Sequence, residues 1–136
     1  YAHAKEGPLT SQPARAMAEG VVWLAINSGA PGKQGAGLEH NTAARKKYAM
    51  SYPVLLDPEG TVGRLYGAIT TPHMYVIDPM GTLVYAGALD NTQSGDVSDV
   101  ARLNNYVTDA ITAVQQSKPV PNPTTKPWGC SVKYVN

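Results

Sequence analysis

The sequence is poor in charge, holds a single cysteine and has no long apolar run, and each shortage closes off a class of function. Charged residues make up 15% of the 136, against ~25% in an average soluble protein. The net charge is +1, so no strong field exists to attract nucleic acid or an anionic membrane surface. The longest apolar run, Val21 to Ile26, falls far short of the ~20 residues that span a bilayer, so no transmembrane segment is expected. No apolar targeting segment stands at the front of the chain. One cysteine, Cys130, excludes an intrachain disulfide framework. His3, His40 and His73 are scattered, and neither His-x-x-x-His nor Cys-x-x-Cys occurs, so the spacing of a metal site is missing. Gly32-Lys33 suggests a phosphate loop, but that pattern needs Gly where Asn27 stands and Ser or Thr where Gln34 stands. No cofactor is therefore expected.

What is present suits one ordinary domain. Hydrophobic residues make up 43%, enough for a core. Thirteen glycines and eleven prolines exceed the roughly 12% that average usage gives the pair, which marks a turn-rich chain. Pro13 to Glu19 reads as the end of a helix, with Gly20 at its stop. Val21 to Ile26 reads as a strand buried on both faces, with Trp23 in the core. Residues 28–38 form a glycine-rich loop. Glu39 to Met50 reads as a helix whose Arg45-Lys46-Lys47 end is a solvated face that suits the helix dipole.

Pro53 to Leu56 reads as a short strand, and Thr61 to Tyr66 as a short helix with Val62, Leu65 and Tyr66 on one apolar face. Met74–Ile77 and Thr82–Ala86 are two strands joined by four turn residues, an antiparallel hairpin. The phrase Asp-Pro-x-Gly-Thr occurs at 57–61 and again at 78–82. Asp57 and Asp78 each begin a turn, and each is expected to bond its own backbone two residues on rather than act as a general acid or base. A helix comes next, capped by Ser98 with Asp99 in its first turn, running to about Gln116 on the stripe Val100, Leu103, Val107, Ile111 and Val114. Four prolines make residues 117–127 an extended strap. Alternating elements with a late antiparallel hairpin predict an α/β fold around a mixed sheet flanked by helices.

That order, together with VVWLAIN (21–27), YPVLLDPEGTVGRLYG (52–67), the hairpin segment introduced by Thr71-Pro72, and PWGCSVKY (127–134), resembles the thioredoxin fold. More narrowly it is similar to the redoxin/peroxiredoxin-like group of that superfamily. The resemblance implies a thioredoxin-like domain over residues 1–116 and a Pro-rich strap with a C-terminal tail over 117–136. It implies that the bond before Pro72 is cis and that the Thr71 backbone pairs with an extended substrate segment. Read without the resemblance, the same residues make a plain trans turn.

The chain departs from the family at the nucleophile. The family carries a reactive cysteine after a central strand, made acidic at a helix N-terminus, and nothing here matches. Leaving that strand out exposes several backbone groups at about 1–3 kcal/mol each, more than a marginally stable domain absorbs. We therefore expect the central strand and any nucleophile to lie upstream of Tyr1, a partner chain being the other source.

The implied function is a redoxin-type thiol–disulfide or peroxide-related oxidoreductase domain seen without its nucleophile. It would act on a protein thiol or disulfide or on a peroxide. The alternative is a non-catalytic thioredoxin-fold accessory subunit in a larger assembly, since fold does not assign activity. Cys130 is the candidate resolving thiol, attacking an oxidised upstream cysteine. The competing reading is a buried structural thiol. Thr71, Pro72 and His73 are the candidate substrate-binding residues. His73 either tunes a thiol in the cleft or is a hydrogen-bonded strand histidine, and the residues themselves favour the second. Trp128, between Pro127 and Gly129, is expected to anchor the tail. Export signals among such relatives imply an extracytoplasmic, periplasmic place.

Overall fold

The computed structural model describes residues 8–92 and 102–136. The chain divides into two compact units. The first takes the chain as far as Ala68 together with Val132–Asn136, and the second is Ile69–Ser131. The described strands pair two by two in three small sheets. Among the described residues no helix is long and apolar enough to cross a membrane.

In the first unit, helix α1 (Pro8–Ala18) carries Pro13 in its interior. Pro13 and Ala16, one turn apart, are both buried. Gly20 takes a positive φ of 86°, and the Val21 amide returns to the Ala16 carbonyl at 3.0 Å, a glycine stop of the kind the sequence announces. Strand β1 (Ala25–Asn27) pairs in parallel with β2 (Val54–Leu56). The Val21–Ile26 run is not buried on both faces: Val22 is 82% exposed, and Leu24 and Ile26 are also exposed. The strand is shorter than its apolar run and has β2 as its one described partner, so alternation turns every second side chain outward. Trp23 lies 6.3 Å from Tyr52, ring to ring.

Helix α2 (Leu38–Lys47) ends earlier than Met50, because Ala49 adopts φ 48°. Its basic last turn is exposed. Helix α3 (Thr61–Leu65) reverses its expected polarity. Val62, Leu65 and Tyr66 are exposed, Leu65 at 81%, and the buried residue is Gly63. A helix this short packs through its point of closest approach, and here that point is the residue without a side chain.

In the second unit, β3 (Thr70–Thr71) pairs antiparallel with β6 (Cys130–Ser131). Strands β4 (Met74–Ile77) and β5 (Leu83–Gly87) form the antiparallel hairpin, with an irregularity between Val76 and Ile77. Helix α4 (Tyr106–Gln115) packs on both. It starts later than expected: Asn105 is its cap, the Asn105 side chain accepting from the Thr108 amide at 2.9 Å. Leu103 precedes it and is exposed, while Ser98, Asp99 and Val100 lie outside the described residues. Its deepest residues are Val107, Ala110 and Ala113, a stripe rotated from the expected one because the small alanines let the helix approach the hairpin closely.

The strap lies along β5. Thr124 bridges Ala86 in parallel. The Thr125 amide donates to the Ala86 carbonyl at 3.2 Å. Thr125 Oγ1 accepts from the Ala88 amide at 2.9 Å and shares a 2.6 Å hydrogen bond with the Tyr85 hydroxyl. Tyr85, 1% exposed, also donates to the Ala88 carbonyl. A side chain on Gly87 would meet Thr125 Oγ1 at 2.3 Å, so the strap needs glycine there.

Candidate functional site

The residues singled out in the sequence meet in the second unit. Thr71, Pro72 and His73 lead from β3 into β4, and the Thr71–Pro72 peptide is cis. Thr70 Oγ1 donates to the Pro72 carbonyl at 2.9 Å across this corner. The tail supplies the facing strand: Thr70 pairs with Ser131 and Thr71 with Cys130. Cys130 is a free, exposed cysteine, which overturns the buried structural alternative. It lies on a two-residue strand, and both residues of that strand are exposed. A Cβ on Gly129 would stand 2.3 Å from the Thr71 carbonyl oxygen. Only a glycine lets the two backbones run this close.

His73 Nδ1 accepts from the Ile69 amide at 3.3 Å, and its ring stacks on Tyr75 with centroids 4.7 Å apart. Burial lowers its pKa below the ordinary value, so the neutral ring with its proton on Nε2 is the form this geometry holds. His73 is thus hydrogen-bonded, but it stands just before β4 and not within a strand.

Trp128 Nε1 donates to the Asp90 carbonyl at 3.2 Å and fastens the tail. The Asp90 side chain is 1% exposed. Its Oδ1 accepts from the Thr92 amide at 3.0 Å and the Thr92 hydroxyl at 2.6 Å, and its Oδ2 has no hydrogen-bond partner among the described residues. Such an oxygen is costly to keep dry. No signal in the sequence separates Asp90 from the acidic residues after it.

A second polar cluster, in the first unit, is scarcely signalled by the sequence. Asp57 Oδ2 accepts from Ser28 Oγ at 2.7 Å and from the Gly63 amide at 2.9 Å. Burial alone would raise the Asp57 pKa, but bonds from the Gly63 amide, the Ser28 hydroxyl and the Val62 and Thr61 amides outweigh it and hold the carboxyl below its ordinary value. Asp57 therefore reaches past its own turn to the amides of the first turn of α3. Tyr134 covers the cluster. Its hydroxyl donates to the Ala68 carbonyl at 2.7 Å, and Arg64 stands 4.5 Å over its ring. The one forewarning is Gly63 itself, a helix breaker inside a helix pattern, which signals close approach.

Among the described residues no group of three or more His, Cys, Asp or Glu could hold a metal ion. His3 lies outside them.

A model of the AhpC/TSA family matches residues 8–86, more than half of the chain. The crystal structure of a hypothetical protein from Sinorhizobium meliloti 1021 is similar at TM-score 0.81 and 29% identity, covering 93% of this chain and 69% of that one. An uncharacterized conserved protein from Geobacillus kaustophilus is similar at TM-score 0.81 and 26% identity, with 93% and 67% covered. No curated protein matches. These likenesses make the fold thioredoxin-like, with the expected α/β elements in the expected order and β3 and β6 added to them.

Proposed function

The chain belongs to the AhpC/TSA family, and from that premise we propose that it is part of a thiol–disulfide or peroxide-reducing oxidoreductase in which Cys130 is the resolving thiol. The observation that carries this reading is the exposed thiol of Cys130 in register with Thr71, the residue before Pro72. Thr71, Pro72 and His73 line the place where the substrate approaches. The exposed Val22, Leu24 and Ile26 of the first unit support a further strand beside β1.

The chemistry needs two thiols, and these 136 residues hold one. The attacking thiolate therefore belongs to a cysteine outside them. That thiolate attacks the terminal oxygen of a hydroperoxide. An S–O bond forms, the O–O bond breaks, and the alkoxide takes a proton and leaves as alcohol. Cys130 sulfur then attacks the sulfenic sulfur. An S–S bond forms, and hydroxide departs with the Cys130 proton as water. With a disulfide substrate, the first step is thiolate attack on sulfur, with the other sulfur as leaving thiolate.

The test titrates Cys130 in the intact native protein before and after mild hydroperoxide treatment, with no small thiol added. The expected result is loss of the free thiol to a protein disulfide, with recovery on dithiothreitol. An unchanged thiol overturns the resolving role. It would turn the assignment to a non-catalytic accessory subunit, a role the fold also hosts.

A further inference from the structure

The tail occupies a position with a chemical consequence of its own. A residue in a strand offers its amide and carbonyl to one neighbour on a given side, and two segments cannot use the same pair. At Thr70–Thr71 that neighbour is Cys130–Ser131 of the same chain. The fit is close, since Gly129 approaches the Thr71 carbonyl nearer than any other residue could. Upstream, the strap is held by the Thr124 bridge to Ala86, by Thr125 on Tyr85 and Ala88, and by Trp128 on Asp90. The segment on the edge itself is only two residues long, and both are exposed. Its place is set by its flanks rather than by a layer covering it.

We propose that β6 closes the Thr70–Thr71 edge from within, so that with β6 seated an extended protein segment cannot pair there. The substrates admitted are those that need no backbone pairing, hydroperoxides and low-molecular-weight disulfides. The proposal rests on the redoxin-type reading, in which this edge is where an extended substrate would lie, and it narrows the substrate class of that site.

The test uses the intact native protein and a labelled peptide copying residues 125–134 with serine in place of the cysteine. Gly129→Val unseats β6, because valine resists the φ of 137° and its Cβ would collide with the Thr71 carbonyl. The expected result is no saturable binding to the unmodified chain and binding at least tenfold tighter to the variant. Amide exchange in β3 and β6 should quicken at least tenfold in the free variant and slow again in β3 when peptide is added. Equal binding by both proteins overturns the proposal, and so does a variant whose β3 amides are freed yet bind no peptide. If Gly129→Val loses its circular dichroism, Gly129→Ala supplies the same collision with less bulk. Neither readout involves thiol chemistry, so this proposal can fail while Cys130 still oxidises, and the thiol assignment can fail while the edge proves closed.

Discussion

The two Asp-Pro-x-Gly-Thr turns, 57–61 and 78–82, share four of five residues and use their aspartates differently. Asp78 stays local: its Oδ1 accepts from the Met80 amide at 3.0 Å and the Thr82 amide at 2.9 Å, closing the hairpin. Asp57 reaches out of its turn to Ser28 and to the Gly63 amide. The difference lies in the segment after each turn. Val62-Gly63-Arg64 winds into a helix that offers free amides, and Gly63 has no side chain to keep Ser28 and Tyr134 away. Leu83-Val84-Tyr85 runs straight into β5, which offers none. A turn motif dictates its own backbone path, while the partner of its carboxylate is decided by the element downstream.

The largest break in this comparison comes from removing the carboxylates. Asp57→Ala should cost about 3 kcal/mol, because two donors to a charged acceptor are stranded in a buried place. Asp78→Ala should cost less than about 1 kcal/mol, because its donors are exposed and water replaces it. Urea denaturation of both variants measures the gap, and equal losses would make the two turns equivalent after all.

Glycine substitutions sharpen the contrast at a smaller scale. Gly60 and Gly81 occupy matching positions with φ of 72° and 83°, so alanine strains both by about 1 kcal/mol. A Cβ at Gly60 would also press within 2.5 Å of the Tyr134 ring, whereas at Gly81 it meets nothing within 4 Å. Gly60→Ala should therefore lose about 1 kcal/mol more than Gly81→Ala in thermal or urea melts. A larger loss at Gly81 would contradict the packing over α3.

The smallest effect is a pH slope. The folded Asp57 pKa lies below its unfolded value. Its contribution is then fully present above the unfolded pKa near 3.8 and is lost as pH falls through the folded one. Unfolding free energy measured from pH 5 downward should fall less steeply in Asp57→Asn than in the unmodified protein. Parallel curves would remove Asp57 from the acid sensitivity.

The features legible in the sequence are those that depend on neighbours in the chain. Gly20 stops α1, both Asp-Pro-x-Gly turns form where written, and the 74–86 hairpin arises from four turn residues between two apolar runs. The fold itself is legible through four phrases in order, none of them sufficient alone. Val21–Ile26 misleads because burial depends on how many strands lie beside it, which no local pattern states. Leu65 and Tyr66 look like core residues because periodicity cannot tell an apolar stripe from a helix that packs by its glycine. The start of α4 is set by Asn105, whose side chain accepts from the Thr108 amide. The pairing of Cys130 with Thr71 has no sequence signal except Gly129, whose need for a left-handed backbone emerges only once Thr71 is opposite.

The chain has two indoles, and the structure gives one to each unit. Trp23 sits near the phenol of Tyr52 in the first. Trp128 is tied through its ring nitrogen to the Asp90 carbonyl in the second, two positions from the thiol. The molecule thus contains its own pair of optical reporters. Quenching or a change of emission colour at Trp128 registers the seating of the tail, and the light from Trp23 reports the other unit without any added dye.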